Sequence, residues 1–316
     1  MKILYPLVLM LLVNTGFLQA QTDKELLREA MELRHDKKVE QALAKVNKVL
    51  ENDSLNVLAI DIKSTLYFGQ KKYAESYQIL TKGLKYHPGN SLLAAERGLL
   101  LAQFNEFDKA EADLALAEKN LDKIKDPELK CLALQKTGTL AGYLNHDKKA
   151  YKYLKQTLEC DPQNFDALVN ISAASFDLDK VDEGLEYLEK ALKIYPDNFF
   201  ILANIGFAYQ EKGEFQKAID YFNKALKVKP GEPQAIGNIA YNQYKLGKLD
   251  EALKNINKSI ELYPQNSYSY RTRALIYWQM NKKQEACQDI ETALKKGYSK
   301  LHGKAAQEFK DKHCKK

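Results

Sequence analysis

The sequence predicts an all-helical array of repeated helix hairpins, and three observations carry that expectation. Pro162, Pro196, Pro230 and Pro264 stand 34 residues apart, each in a short polar turn. Between them, small and apolar residues recur at fixed places. The composition leaves little room for sheets: 316 residues include only 15 Gly and 8 Pro, with 45% hydrophobic and 28% charged residues. That is the profile of a folded chain leaning on helix formers.

The first 20 residues do not read as part of the array. Lys2 is followed by an apolar run from Ile3 to Val13, then a more polar stretch ending at Ala20-Gln21. A short positive start, about a dozen apolar residues and a small residue at the end form a secretory signal, expected to be cleaved after Ala20. The run is short for a bilayer, which needs ~20 apolar residues. No cysteine precedes Cys131, so a lipid anchor at this cut is excluded. Export to the periplasm or outside the cell is therefore expected.

Proline cannot continue a helix and pushes the preceding residue away from helical angles, so the turns mark helix ends. Units of 34 residues follow: 23–56, 57–90, 91–124, 131–164, 165–198, 199–232, 233–266 and 267–300, with an insertion at 125–130. Within the insertion, Asp126-Pro127 reads as a helix cap followed by proline at the first helical position. The first, third and last units lack the proline, with Ser54, Asp122 and Tyr298 in its place. After Lys300, residues 301–316 read as a polar capping helix with a basic tail.

The columns test this register. The eighth place holds Ala30, Ser64, Gly98, Gly138, Ser172, Gly206, Ala240 and Ala274. The twentieth holds Ala42, Ser76, Ala110, Ala150, Gly184, Ala218, Ala252 and Ala286. The twenty-fourth is always apolar, from Val46 and Leu80 to Phe222 and Ile290. Small residues at two places let two helices approach, and the apolar side chain fills the space beside them. This pattern, with 199–232 nearly complete (Leu202, Ile205-Gly206, Tyr209, Ala218, Phe222, Ala225, Pro230), resembles the tetratricopeptide repeat. The resemblance covers residues 23–300. It implies a right-handed superhelical solenoid of about eight hairpins, with the first helix of each unit lining the concave wall.

Four cysteines in an exported chain are expected to pair. Cys131 opens the first helix of its unit and Cys160 closes the second, ends that antiparallel helices bring together. Cys287 lies in the last second helix, and Cys314 in the segment expected to cap it. Cys131–Cys160 and Cys287–Cys314 are thus the expected disulfides; free thiols in a reducing compartment are the alternative.

No sequence pattern points to catalysis. There is no glycine-rich phosphate loop, no Gly-x-Ser-x-Gly turn and no His-Glu-x-x-His helix. The five histidines are scattered, so no metal or cofactor is expected. The 48 basic residues are interspersed with 42 acidic ones, a net charge of +6; this describes a mixed solvated surface, and nucleic acid is not the expected partner.

The resemblance instead implies a protein or peptide partner in the concave groove. Asn170, Phe176, Asn204, Phe207, Asn238, Tyr241, Tyr244, Tyr268 and Trp278 are the candidate groove residues, amides for a peptide backbone and aromatics for contact area. Some family members clamp a C-terminal carboxylate with a lysine; here the matching places hold Leu27 and Ala203, so that clamp is not expected. The expected function is a non-catalytic, exported scaffold or adapter. The alternatives are a structural accessory of an envelope complex and a carbohydrate-binding solenoid.

Overall fold

The computed structural model describes residues 21–314. The expected signal segment, 1–20, lies outside them. Among the described residues the chain is helical throughout, without strands. Residues 21–35 form α1, followed by α2 (Val39–Asn52), α3 (Val57–Gly69), α4 (Tyr73–Tyr86), α5 (Ser91–Gln103), α6 (Phe107–Asn120) and a 3-10 turn at Leu121–Lys123. Then come α7 (Pro127–Tyr143), α8 (Asp147–Cys160), α9 (Phe165–Asp177), α10 (Val181–Ile194), α11 (Phe199–Glu211) and α12 (Phe215–Val228). The last are α13 (Pro233–Lys245), α14 (Leu249–Leu262), α15 (Ser267–Gln279), α16 (Lys283–Lys295), α17 (Tyr298–His302) and α18 (Ala305–His313). The chain divides into two compact units between Ala174 and Ser175.

Local chemistry sets each boundary. Where the turn carries Asn at its end, that side chain caps the next helix: Asn56 accepts from the Ala59 N–H, Asn90 from Leu93, Asn164 from Ala167 and Asn198 from Ile201. These bonds satisfy donors that a helix start leaves open. Between the two helices of each hairpin one residue turns left-handed, always fifteen places from the unit start. Gly213 and Gly247 supply it freely, but Lys37, Lys71, Asn105, Asn145, Asp179 and Asn281 adopt φ of 58–62° there. The hairpin geometry overrides the preference of L-residues for negative φ. Asp126 accepts from the N–H groups of Glu128 and Leu129, and Pro127 opens α7. The inserted residues thereby lengthen that helix to 17 residues, against 13 for α5.

The small columns are places of contact. Ser64 and Ser76, the eighth and twentieth places of one hairpin, bond to each other at 2.9 Å inside the core. A methyl group added at Gly138 would sit 2.8 Å from Leu154 Cγ, and one at Gly206 3.0 Å from the Phe222 ring. The twenty-fourth place is buried in every hairpin, with Val46, Leu80, Leu154, Leu188, Phe222, Ile256 and Ile290 at 0% exposure. Each hairpin thus closes on a small residue and offers its remaining apolar edge to the next, so the core is a series of neighbouring clusters.

Two ion pairs repeat in the same positions. Arg97 of α5 holds Asp113 of α6 with two bonds, Nε–Oδ2 at 2.8 Å and Nη2–Oδ1 at 2.7 Å. Arg273 of α15 holds Asp289 of α16 likewise, at 2.7 and 2.8 Å. Each spare guanidinium nitrogen reaches the preceding hairpin, Thr81 in one case and Asn257 in the other.

The C-terminal segment differs from a single polar helix starting at 301. Gly303, at φ 77°, separates α17 from α18. Nor is α18 only polar: Ala306 is buried, and Phe309 packs against Trp278 with ring centroids 5.5 Å apart. In the structure a disulfide joins Cys287 of α16 to Cys314, just past α18, and another joins Cys131 of α7 to Cys160 of α8. Among the described residues no helix is long and apolar enough to cross a membrane.

A candidate partner site on the first helices

In the N-terminal unit the first helices α3, α5 and α7 pack side by side. A cavity of ≈ 430 Å³ opens against them, lined by Phe68, Glu96, Leu99, Gln135, Lys136 and Tyr143, and by Asp166 and Asn170 from α9. Its centre is ionic. Lys136 Nζ lies 2.7 Å from Glu96 Oε2, and both side chains are largely covered. The other Glu96 oxygen accepts from the Thr65 hydroxyl at 3.1 Å. Asp61, one turn before Thr65 on α3, is 4% exposed, and its Oδ1 has no hydrogen-bond partner.

Burial pushes the Asp61 carboxyl up from 3.8 to about 7; Lys136 opposes the rise, Glu96 adds to it and Arg34 opposes it. Burial works against the Lys136 ammonium, but the Glu96 and Asp61 carboxylates outweigh it and hold its pKa above the ordinary lysine value. The sign for stability follows. Folded Asp61 keeps a proton that the unfolded chain gives up near pH 4, so its contribution is full below that pH and is lost as pH rises through about 7. At ~1.4 kcal/mol per unit, the loss approaches about 4 kcal/mol. Asp61→Asn is therefore expected to flatten the fall in urea midpoint between pH 4.5 and 8 and to stabilise the protein at pH 8. An Asn variant with the native pH profile would assign that fall to other groups.

The candidate groove residues divide between the two units. Asn170 belongs to the cavity just described, where its amide donates to the Thr139 hydroxyl at 3.1 Å. In the C-terminal unit Phe176 is half-buried against Gly184. Asn204 is half-buried and Asn238 only 5% exposed, so the three amides do not form a uniform exposed ladder. Phe207 meets the buried Phe222 edge-on at 5.3 Å. Tyr241 gathers Tyr244 and Tyr268, each with ring centroids 6.2 Å away; burial raises the phenol pKa of both Tyr244 and Tyr268. Trp278 meets Phe309 of α18 edge-on and lies tilted against His313. It anchors the C-terminal helix.

The Asp61–Glu96–Lys136 cluster was not among the residues expected from sequence. Its signal was present in one place: Asp61 interrupts the apolar run Leu58-Ala59-Ile60-Asp61-Ile62 at a position the helix must bury. Three aromatics on first helices are exposed: Tyr143 at 53% in the N-terminal unit, and Phe200 at 69% and Phe207 at 42% in the C-terminal unit.

Paired helices with small residues at the crossing and a polar, aromatic first-helix surface define an all-helical repeat protein of the interaction type. Three family models, each described as tetratricopeptide repeat, match residues 164–230, 209–276 and 268–295. Residues 164–295 of the chain carry tetratricopeptide repeats. Among curated proteins the chain is similar to RNA polymerase II-associated protein 3 of Homo sapiens, 31% identical over 116 residues, and to that of Mus musculus, 30% identical over 115. Either match covers 36% of this chain and spans only 16% of the relative's length. Similar solved structures include a tetratricopeptide repeat protein from Parabacteroides merdae ATCC 43184, at 16% identity and TM-score 0.49, covering 91% of this chain and 98% of that one. Another is MamA from Desulfovibrio magneticus RS-1, at 13% identity and TM-score 0.49, covering 54% and 97%.

Proposed function

We propose that the protein is a non-catalytic, exported scaffold that holds a polypeptide partner on the first-helix face of its repeats. The observation that carries this reading is the first-helix surface itself. In the N-terminal unit it offers a cavity large enough for a partner side chain and the open ring of Tyr143, and in the C-terminal unit it leaves the Phe200 ring open. Aromatic side chains supply large contact area at low entropic cost, and amides beside them can bond an extended backbone. The tyrosines around Tyr241 extend the same kind of surface in the C-terminal unit. Export is supported by the two cysteine pairs, which persist in oxidising compartments, and by the signal-like sequence at 1–20.

Affinity capture from cell-envelope extract tests the reading, with the native protein beside a Tyr143→Ala, Phe200→Ala variant. Both residues are exposed, so the variant should keep its helical content. The native protein should retain a polypeptide that the variant loses. Equal retention by both would move the working surface elsewhere, and four free thiols in protein recovered from the envelope would overturn export.

A further inference from the structure

The cavity of the N-terminal unit has a charge balance that selects its occupant. Glu96 and Asp166 line it. Lys136 is the lone cation in the lining, and it is already committed to Glu96 at 2.7 Å with its side chain 15% exposed. No free positive charge therefore greets an anion, whereas carboxylate capacity remains. Each Glu96 oxygen has one partner, and an ionised carboxylate offers about four acceptor sites in all. Asp166 is exposed in the first turn of α9.

The rest of the lining suits a long side chain with a charged end. Leu99, Leu100 and Phe68 form an apolar wall for methylene groups, and Tyr143 presents an open ring face. Gln103 and Gln135 add amide oxygens that can accept from N–H donors. We infer that this cavity receives an arginine or lysine side chain of the bound polypeptide, its cationic end between Glu96 and Asp166 and its stem along Leu99 and Leu100. This rests on the proposal that the first-helix face holds a polypeptide.

The test titrates the full chain with Ac-Gly-Arg-Gly-NH2, Ac-Gly-Lys-Gly-NH2, the uncharged isostere Ac-Gly-citrulline-Gly-NH2 and free arginine. The side-chain amide NMR signals of Gln103, Gln135 and Asn170 are followed. The charged peptides should shift these signals saturably, and the citrulline peptide should bind at least about tenfold more weakly, or ~1.4 kcal/mol. Asp166→Asn, at an exposed carboxylate, should weaken the charged peptides while leaving the amide spectrum folded; Glu96→Gln should weaken them further. Equal shifts from the citrulline peptide, or none from the charged ones, would overturn the assignment. Binding of free arginine without the capped peptides would overturn the polypeptide as its source. Neither failure alters the capture experiment, which tests the scaffold reading by itself.

Discussion

Phe222→Ala should lower stability by about 3–5 kcal/mol, the range for emptying a large aromatic site in a packed core. Phe222 has no exposed surface. Its ring fills the space left by Gly206 across the hairpin, and Phe207 lies edge-on to it at 5.3 Å. From the second helix of its hairpin it also joins Ala235 and Ile239 of α13 in one cluster. Truncation therefore opens a void at two junctions at once, within the hairpin and towards the next. Because repeat arrays sum local and nearest-neighbour terms, the loss should concentrate in α11, α12 and α13. Hydrogen exchange should show those helices losing protection first, and urea unfolding should shift to lower concentration. Exchange that rises evenly over every helix would mean that the stability is shared more widely than neighbour packing allows.

Asp113→Ala and Asp289→Ala should each destabilise by about 3–5 kcal/mol, the effect of stripping one partner from a covered ion pair. The two aspartates are 3% and 6% exposed, and each takes both of its bonds from one guanidinium. Removing the carboxylate leaves Arg97 or Arg273 partly buried without a counter-ion. The same physics predicts a rescue. Replacing both partners with apolar residues of similar volume, as in Arg97→Met with Asp113→Leu, should recover most of the loss, because the charges no longer need to be desolvated. Urea midpoints for the single and double variants measure this directly. A double variant as unstable as Asp113→Ala would show that the pair supplies more than mutual charge compensation.

What could be read from the sequence divides along physical lines. The spacing of Pro162 to Pro264 and the small columns were legible because steric exclusion acts on single positions: a larger residue at Gly138 or Gly206 meets a fixed neighbour. The start of α7 was legible through Asp126, whose side chain accepts from the open N–H groups of the first turn. The left-handed turn shows in the sequence at Gly213 and Gly247, where glycine advertises it. At Lys37, Lys71 and Asn105 the fold imposes the conformation on residues that do not signal it.

The candidate site was the least legible part. Glu96 and Lys136 are 40 residues apart and meet only because neighbouring first helices lie side by side. Trp278 shows the converse. Its place in the repeat suggested a groove residue, and the segment after α16 also folds back to pack against it, a contact that the repeat pattern does not encode.

The most direct test of the central claim is photo-crosslinking in the cell of origin. Benzoylphenylalanine would replace Tyr143 and Phe200 on first helices and, for comparison, Lys155 and Lys224 on the exposed side of second helices. The account predicts discrete polypeptide adducts from positions 143 and 200 and none from 155 and 224. Adducts from the second-helix positions alone would contradict it.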